Sequence, residues 1–243
     1  MTTKVAIVGA TGRMGQLVGK VVEATEGFEV HARLDSKGDL AEMLGADLAV
    51  DVTLPGVSQS VVEYAVAHGI SVVVGTSGWT GERIASLERT ITGNLAVGVL
   101  VIPNFSVGSV LATRFAELAA RYFESIEIVE AHHATKIDSP SGTAVRTAEL
   151  IGQARGDLGP VIAPHSDQRA RGQQVASVPV HSLRLRGVVA QQQVVLGGDG
   201  ETLTLTHDTL SQRAYEQGVL VALRAVGDVR GVVVGLDRVL PLD

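Results

Sequence analysis

Short apolar runs alternate with amphipathic stretches through the first half of the chain. Val5-Ala6-Ile7-Val8 is a continuous apolar run, and Leu17, Val18, Val21 and Val22 follow at helical spacing. Residues 28–34, 48–53, 70–74 and 95–102 read as four further strands. Helix patterns lie between them, one carried by Val57, Val61, Val62, Tyr64 and Ala65 and the next spanning residues 83–90. Buried strands alternating with helices predict a parallel sheet covered on both faces.

The pattern changes after a long helix predicted for residues 107–123, with Leu111, Phe115, Leu118, Ala119 and Phe123 on its apolar side. Residues 126–131 read as a strand. A polar loop beginning at His132 follows, and then a helix carrying Ala144, Val145 and Ala148. Residues 152–175 are polar and irregular, which predicts a surface loop. Residues 177–186, 188–196 and 201–207 read as antiparallel strands, with Gly197-Gly198-Asp199-Gly200 as a hairpin turn. Thr202, Thr204 and Thr206 alternate with Leu203 and Leu205, so that strand is expected to bury one face and present the other to a ligand or another subunit. A helix over residues 212–226 and an apolar strand over 231–236 close the chain. That last strand suits the first, parallel sheet.

Chemistry concentrates where the strands end. Gly9-Ala10-Thr11-Gly12-Arg13-Met14-Gly15 joins the first strand to the first helix with G-x-x-G-x-x-G spacing. Such a turn lets a dinucleotide pyrophosphate approach the backbone at a helix start. Asp35 ends the next strand about twenty residues on, where an acid can accept from ribose hydroxyls. Arg13 and Arg33 lie close enough in sequence to hold a 2′-phosphate instead. Gly75-Thr76-Ser77 and Pro103-Asn104-Phe105 end two more strands and are candidates to hold a nicotinamide; Asp51 and Thr53 are weaker candidates, Asp51 reading first as a loop cap. The densest cluster is His132-His133-Ala134-Thr135-Lys136-Ile137-Asp138-Ser139-Pro140-Ser141-Gly142-Thr143-Ala144. It offers proton donors in His132, His133 and Lys136, and an anion clamp at a helix start in Ser141, Gly142 and Thr143. Ser139 and Pro140 read as the cap and first residue of that helix.

Composition narrows the classes. Among 243 residues, 45% are hydrophobic and 28 are glycine, whereas aromatics make up only 3%, too few for a base-stacking RNA binder. A net charge of −6 argues against a nucleic-acid partner. There is no cysteine, so disulfides and thiolate metal sites are excluded. No metal is expected at His132-His133, because adjacent histidines point apart. His31, His68, His165, His181 and His207 read as structural. No apolar stretch reaches the roughly 20 residues of a membrane span, and the first residues lack a signal-peptide pattern. A cytoplasmic protein is expected.

Taken together, the glycine turn, the Gly75-Thr76-Ser77-Gly78 and Pro103-Asn104-Phe105-Ser106 loops and the His-His-x-x-Lys-x-Asp-x-Pro-Ser-Gly-Thr-Ala stretch resemble the 4-hydroxy-tetrahydrodipicolinate reductase (dihydrodipicolinate reductase) family end to end. The resemblance implies an α/β fold with two domains. A discontinuous Rossmann-like parallel-sheet domain, residues 1–106 and 213–243, would bind the dinucleotide. A smaller α+β domain with a mainly antiparallel sheet, residues 107–212, would bind substrate and form a homotetramer. The implied reaction is NAD(P)H-dependent reduction of 4-hydroxy-tetrahydrodipicolinate, a small cyclic dicarboxylate, to tetrahydrodipicolinate in diaminopimelate and lysine biosynthesis. By motif, Gly9, Ala10, Thr11, Gly12, Arg13 and Met14 would hold the pyrophosphate and Asp35 the ribose. Gly75, Thr76, Ser77, Ile102, Pro103, Asn104 and Phe105 would line the rest of the cofactor site. His132 would be the acid/base residue and Lys136 the cationic proton donor, and His133, Gly142 and Thr143 would bind substrate carboxylate. Asp35 favours NADH, while Arg13 and Arg33 accommodate NADPH, so either cofactor fits. The segment 164–178 resembles the family only loosely, and Arg169 and Arg171 receive no substrate contacts. Two alternatives are another NAD(P)-dependent reductase of a small carboxylate and a non-catalytic nucleotide-sensing protein on the same fold.

Overall fold

The computed structural model describes residues 2–91 and 97–241. By contacts the chain divides into two units, Met1–Phe105 with Tyr215–Asp243, and Ser106–Ala214.

The first unit is built on six parallel strands. They are β1 (Thr3–Val8), β2 (Phe28–Leu34), β3 (Leu48–Asp51), β4 (Ser71–Val74), β5 (Gly98–Val101) and β11 (Gly231–Val234), in the order β11-β5-β4-β3-β1-β2. The final strand therefore joins this sheet beside β5. Helices α1 (Arg13–Ala24), α2 (Pro55–Ala67), α3 (Gly81–Ile91) and α6 (Glu216–Ala225) accompany the strands. The strands β3, β4 and β5 are buried at every position, which explains their near-continuous apolar sequences, interrupted by Asp51 at the end of β3 and Ser71 at the start of β4. Of the expected fifth strand, Leu95 and Ala96 lie outside the described residues. Strand order reverses between β1 and β3, so the loops after those strands flank the switch point of the sheet. Backbone crowding there is severe. A Cβ on Gly9, whose φ is +88°, would lie 2.5 Å from the Val52 carbonyl oxygen. One on Gly15 would lie 2.2 Å from the Gly9 carbonyl oxygen, so only glycine lets α1 press onto the turn.

The second unit is a five-stranded sheet with two helices, α4 (Val107–Ala119) and α5 (Gly142–Arg155). Its strands are β6 (Ser125–His133), β7 (Gln173–Val175), β8 (Val178–Leu185), β9 (Ala190–Gly198) and β10 (Glu201–Thr209), in the order β10-β9-β6-β8-β7. Only the β6–β8 pairing is parallel. Ile126, Ile128, Val180, Val194 and Leu196 pack with Ala144, Ala148 and Ile151 of α5 in the core. Arg155 is buried without a carboxylate, and its guanidinium donates to the carbonyls of Ala120, Phe123, Gly159 and Pro160. It thereby closes the end of α4.

Several sequence expectations change here. His132 and His133 belong to β6 and not to the loop after it, because pairing with β8 and β9 carries the strand two residues further. Helix α4 stops at Ala119, short of Phe123, and its Phe115 and Leu118 stand 51% and 63% exposed. Helix α2 starts at Pro55, and Val57 faces outward. Leu203 is partly exposed because β10 is an edge strand. The start of α5 is capped by Ser141, whose hydroxyl accepts from the Ala144 N–H at 3.2 Å, so Ser139 and Pro140 precede the helix. Among the described residues no helix is long and apolar enough to cross a membrane.

Candidate functional site

In the first unit the sequence-predicted residues gather at the C-terminal ends of the parallel strands. Gly12 caps α1 without a side-chain hydrogen bond, so the first-turn N–H groups of Arg13 and Met14 rely on other partners. Gly9 and Ala10 donate to the Leu34 carbonyl at the end of β2, which brings the turn beside Asp35. The Asp35 carboxylate accepts from the Lys37 N–H at 2.8 Å. Arg33 pairs with Glu23 at 2.5 Å, both side chains being substantially exposed.

The β4 and β5 loops are tied to the same edge. Gly75 N–H donates to the Asp51 carbonyl at 2.8 Å, and Ile102 N–H to the Val74 carbonyl at 2.8 Å. Phe105 is buried with its ring against Gly75, where a Cβ would come within 2.6 Å of it. Thr76 is buried too, whereas Ser77 and Pro103 are exposed and Asn104 is half-buried. Asp51 is fully buried and organises its own loop. It accepts from the Thr53 N–H and hydroxyl and from Ser58, whose oxygen accepts from the Trp79 indole. The reading of Asp51 as a cap thus has a geometric basis.

The second unit assembles the His132 stretch by sheet register. On the helix-covered face, two apolar rows cross the strands, Leu203–Leu196–Ile126 and Leu205–Val194–Ile128–Val180. The next two rows are His207–Gln192–Glu130–Ser182 and Thr209–Ala190–His132–Arg184. The core therefore gives way to a polar end.

At that end Glu130 is completely buried. Its carboxylate accepts from His132 Nδ1 at 2.6 Å, from both terminal nitrogens of Arg184 at 3.0 and 2.9 Å, and from the Ser141 N–H at 3.2 Å. An ionised carboxylate can only accept, so Nδ1 carries the proton and Nε2 is the open nitrogen. Arg184 also donates to the Asp138 carbonyl at 2.7 Å. Asp138 in turn grips Lys136 Nζ with both oxygens, at 2.7 and 2.8 Å. The side chain read from sequence as part of a loop thus holds the lysine. His133 turns the other way, with Nδ1 2.8 Å from the Thr135 hydroxyl. Gly142 is exposed and has open space where a side chain would stand, and Thr143 follows it in the first turn of α5.

Charge follows from these contacts. Burial pushes the Glu130 carboxyl up, but hydrogen bonds from Arg184, Ser182 and His132 outweigh it and hold it below the usual range. Burial lowers His132, with Lys136 and Arg184 adding to the effect against the pull of Glu130. We take His132 as neutral near pH 7, as the buried position and two neighbouring cations require. His207 is likewise lowered by burial, beside the Ser106 hydroxyl at 3.1 Å. Arg171 and His181 converge on Glu127, so Arg171 is engaged with protein.

Sequence reasoning missed Glu130 and Arg184. Glu130 was detectable, since residues two apart on a strand share a face, but only once β6 is known to extend through His132. Arg184 has no local signal.

The comparisons with known proteins agree along the whole chain. The family described as "Dihydrodipicolinate reductase, N-terminus" matches residues 3–105, and "Dihydrodipicolinate reductase, C-terminus" matches residues 108–240. The chain belongs to the dihydrodipicolinate reductase family. A "4-hydroxy-tetrahydrodipicolinate reductase" of Clavibacter sepedonicus is 74% identical over 243 residues, covering 100% of this chain and 88% of that protein. One from Streptomyces griseus is 45% identical over 247 residues, covering 99% and 98%. Among solved structures, dipicolinate-bound dihydrodipicolinate reductase from Paenisporosarcina sp. TG-14 superposes with a TM-score of 0.85 at 31% identity, covering 99% of this chain and 100% of that one. An apo scyllo-inositol dehydrogenase from Lactobacillus casei, at TM-score 0.62 and 13% identity, shares the fold.

These ionisations set how this family member responds to acid. Glu130, Glu127 and Asp138 have folded values below the unfolded 4.5, 4.5 and 3.8, so they stabilise above those values and lose that contribution as pH falls through the folded ones. His132 and His207 lie below 6.5 when folded, so their contribution also fades as pH drops from 6.5. The urea midpoint should therefore decline in two stages, first below about pH 6.5 and again below about 4.5. A midpoint that holds or rises from pH 7 to 4 would contradict this.

Proposed function

We propose that this chain reduces 4-hydroxy-tetrahydrodipicolinate to tetrahydrodipicolinate with NADH or NADPH, in diaminopimelate and lysine biosynthesis, as a cytoplasmic homotetramer. The observation that carries this reading is the set of His132, Lys136 and the open start of α5, held within one unit that matches the family.

The nicotinamide dinucleotide, when bound, supplies the hydride. The start of α1 suits a pyrophosphate, because Gly12 leaves its first-turn N–H groups without a side-chain cap, and Gly9 and Gly15 let the helix start press against the turn. In this reading residues 9–14 hold the pyrophosphate and Asp35 the ribose. Gly75, Thr76, Ser77 and residues 102–105 line the nicotinamide end.

His132 and Lys136 manage protons and charge. The substrate arrives with two carboxylates, whose negative charge favours the imidazolium, so His132 takes up a proton at Nε2 on binding. Loss of the 4-hydroxyl as water gives the unsaturated ring that accepts the hydride. As electron density builds on that ring the His132 proton quenches it, so the balance is one hydride and one proton in and one water out. The Asp138 side chain is 62% exposed, and such a pair is worth at most about 1 kcal/mol, so Lys136 can exchange it for a substrate carboxylate. The N–H groups of Gly142 and Thr143 bind carboxylate without adding another cation, and His133 binds it beside them.

Both cofactors fit by the same energetic argument. Asp35 accepts from an unmodified ribose. The exposed Arg33–Glu23 pair is cheap to break, at most about 1 kcal/mol, so Arg33 is available to a 2′-phosphate. The tetramer would use the sheet face opposite the helices, where Leu183 and Leu185 stand 44% and 47% exposed.

The first experiment supplies the cyclic condensation product of pyruvate and aspartate semialdehyde and follows loss of NADH. Turnover is expected, with His132→Gln and Lys136→Ala each lowering kcat by about 10² or more; folded wild-type protein without turnover would end the assignment. For the cofactors, kcat/KM should differ by less than about tenfold, the equivalent of 1.4 kcal/mol. A preference beyond about a hundredfold would exclude the exchangeable-Arg33 account. Light scattering should give four times the 25.3 kDa chain mass, and a single-chain mass would refute the tetramer.

A further inference from the structure

Glu130 carries no proton or hydride in the chemistry above, yet it is fully buried in a row that adjoins Ile128, Val180 and Val194. Packing alone would be served by an apolar residue there, because a buried carboxylate is costly unless its oxygens are satisfied. Here both oxygens are used. Oε2 faces His132 Nδ1 at 2.6 Å and one Arg184 nitrogen at 3.0 Å. Oε1 faces the other Arg184 nitrogen at 2.9 Å and the Ser141 N–H at 3.2 Å. Each partner leads to a different part of the candidate substrate site. His132 presents Nε2, Ser141 caps the helix whose start holds Gly142 and Thr143, and Arg184 fixes the Asp138 carbonyl at 2.7 Å beside the carboxylate that grips Lys136.

We propose that Glu130, clamped by Arg184, is a positioning residue for the reduction. It holds His132 with the proton on Nδ1 and Nε2 free. The inference rests on the reading of His132 as proton donor. Without the carboxylate a neutral imidazole would sample both tautomers and rotate about its χ angles. A fraction of molecules would then present the wrong nitrogen.

Two measurements test this. The first needs no variant. Ring-nitrogen NMR of 15N-histidine-labelled wild-type protein above pH 7.5 should show His132 with a protonated Nδ1 and an unprotonated Nε2; the reverse tautomer, or an averaged signal, overturns the proposal. The second is a double-mutant cycle. Glu130→Gln should lower kcat by about 10- to 100-fold with KM little changed, and Glu130→Asp, which keeps the charge, should recover part of the loss. In a His132→Gln background, the same Glu130→Gln change should cost less than about threefold more. An equal loss in both backgrounds would make Glu130 merely structural and overturn the inference. If His132→Gln is crippled while Glu130→Gln turns over normally, the positioning role falls and the reading of His132 stands. If His132→Gln is itself near normal, both fall.

Discussion

A carboxylate with no access to water, Glu130, is the constraint around which the second unit is arranged. Removing such a group from water costs several kcal/mol, and only good geometry offsets it. The offset comes from donors on three elements, namely His132 on β6, Arg184 and Ser182 on β8 and the Ser141 N–H at the start of α5. None of them can shift without exposing the cost. The sheet register, the helix start and the imidazole orientation are therefore coupled through one group.

The same face shows how a core becomes a site. Two rows of Leu, Ile and Val anchor α4 and α5, and the next two rows are polar except for Ala190. The apolar rows supply rigidity, and the polar rows place the candidate site on strands that cannot slip. A one-residue slip would turn His132 to the opposite face.

The first unit solves a different problem by different means. Its candidate site is made from backbone, with glycines where strands and helix crowd together and N–H groups left at a helix start. The ionisable side chains near it, Asp35 and Arg33, are exposed or held by exposed partners. Interactions of that kind are cheap to rearrange, which suits a surface that receives an anionic ligand. The second unit instead stores its charge in a buried network, which suits fixed orientation of a proton.

What could be read from sequence followed physical locality. The buried parallel strands announce themselves because burial on both faces demands a near-continuous apolar run, as in Leu48-Ala49-Val50 of β3 and Val72-Val73-Val74 of β4. The glycine turn, Asp35 and the His132–Thr143 stretch are legible because a turn, a helix start and a motif are each written in contiguous residues. Longer-range matters were not. Phe115 and Leu118 fit an apolar helical stripe and yet face outward, since a periodic pattern does not say which face the sheet will cover. Sequence alone also set the end of β6 too early, because the two extra residues are held by strands some fifty residues away. Those partners place Arg184 opposite His132 and bring Glu130 to its Nδ1. The chain by itself thus determined which residues are candidates for the chemistry, and only the tertiary structure decided which buried charge holds them, because strand register is a property of pairing between distant segments.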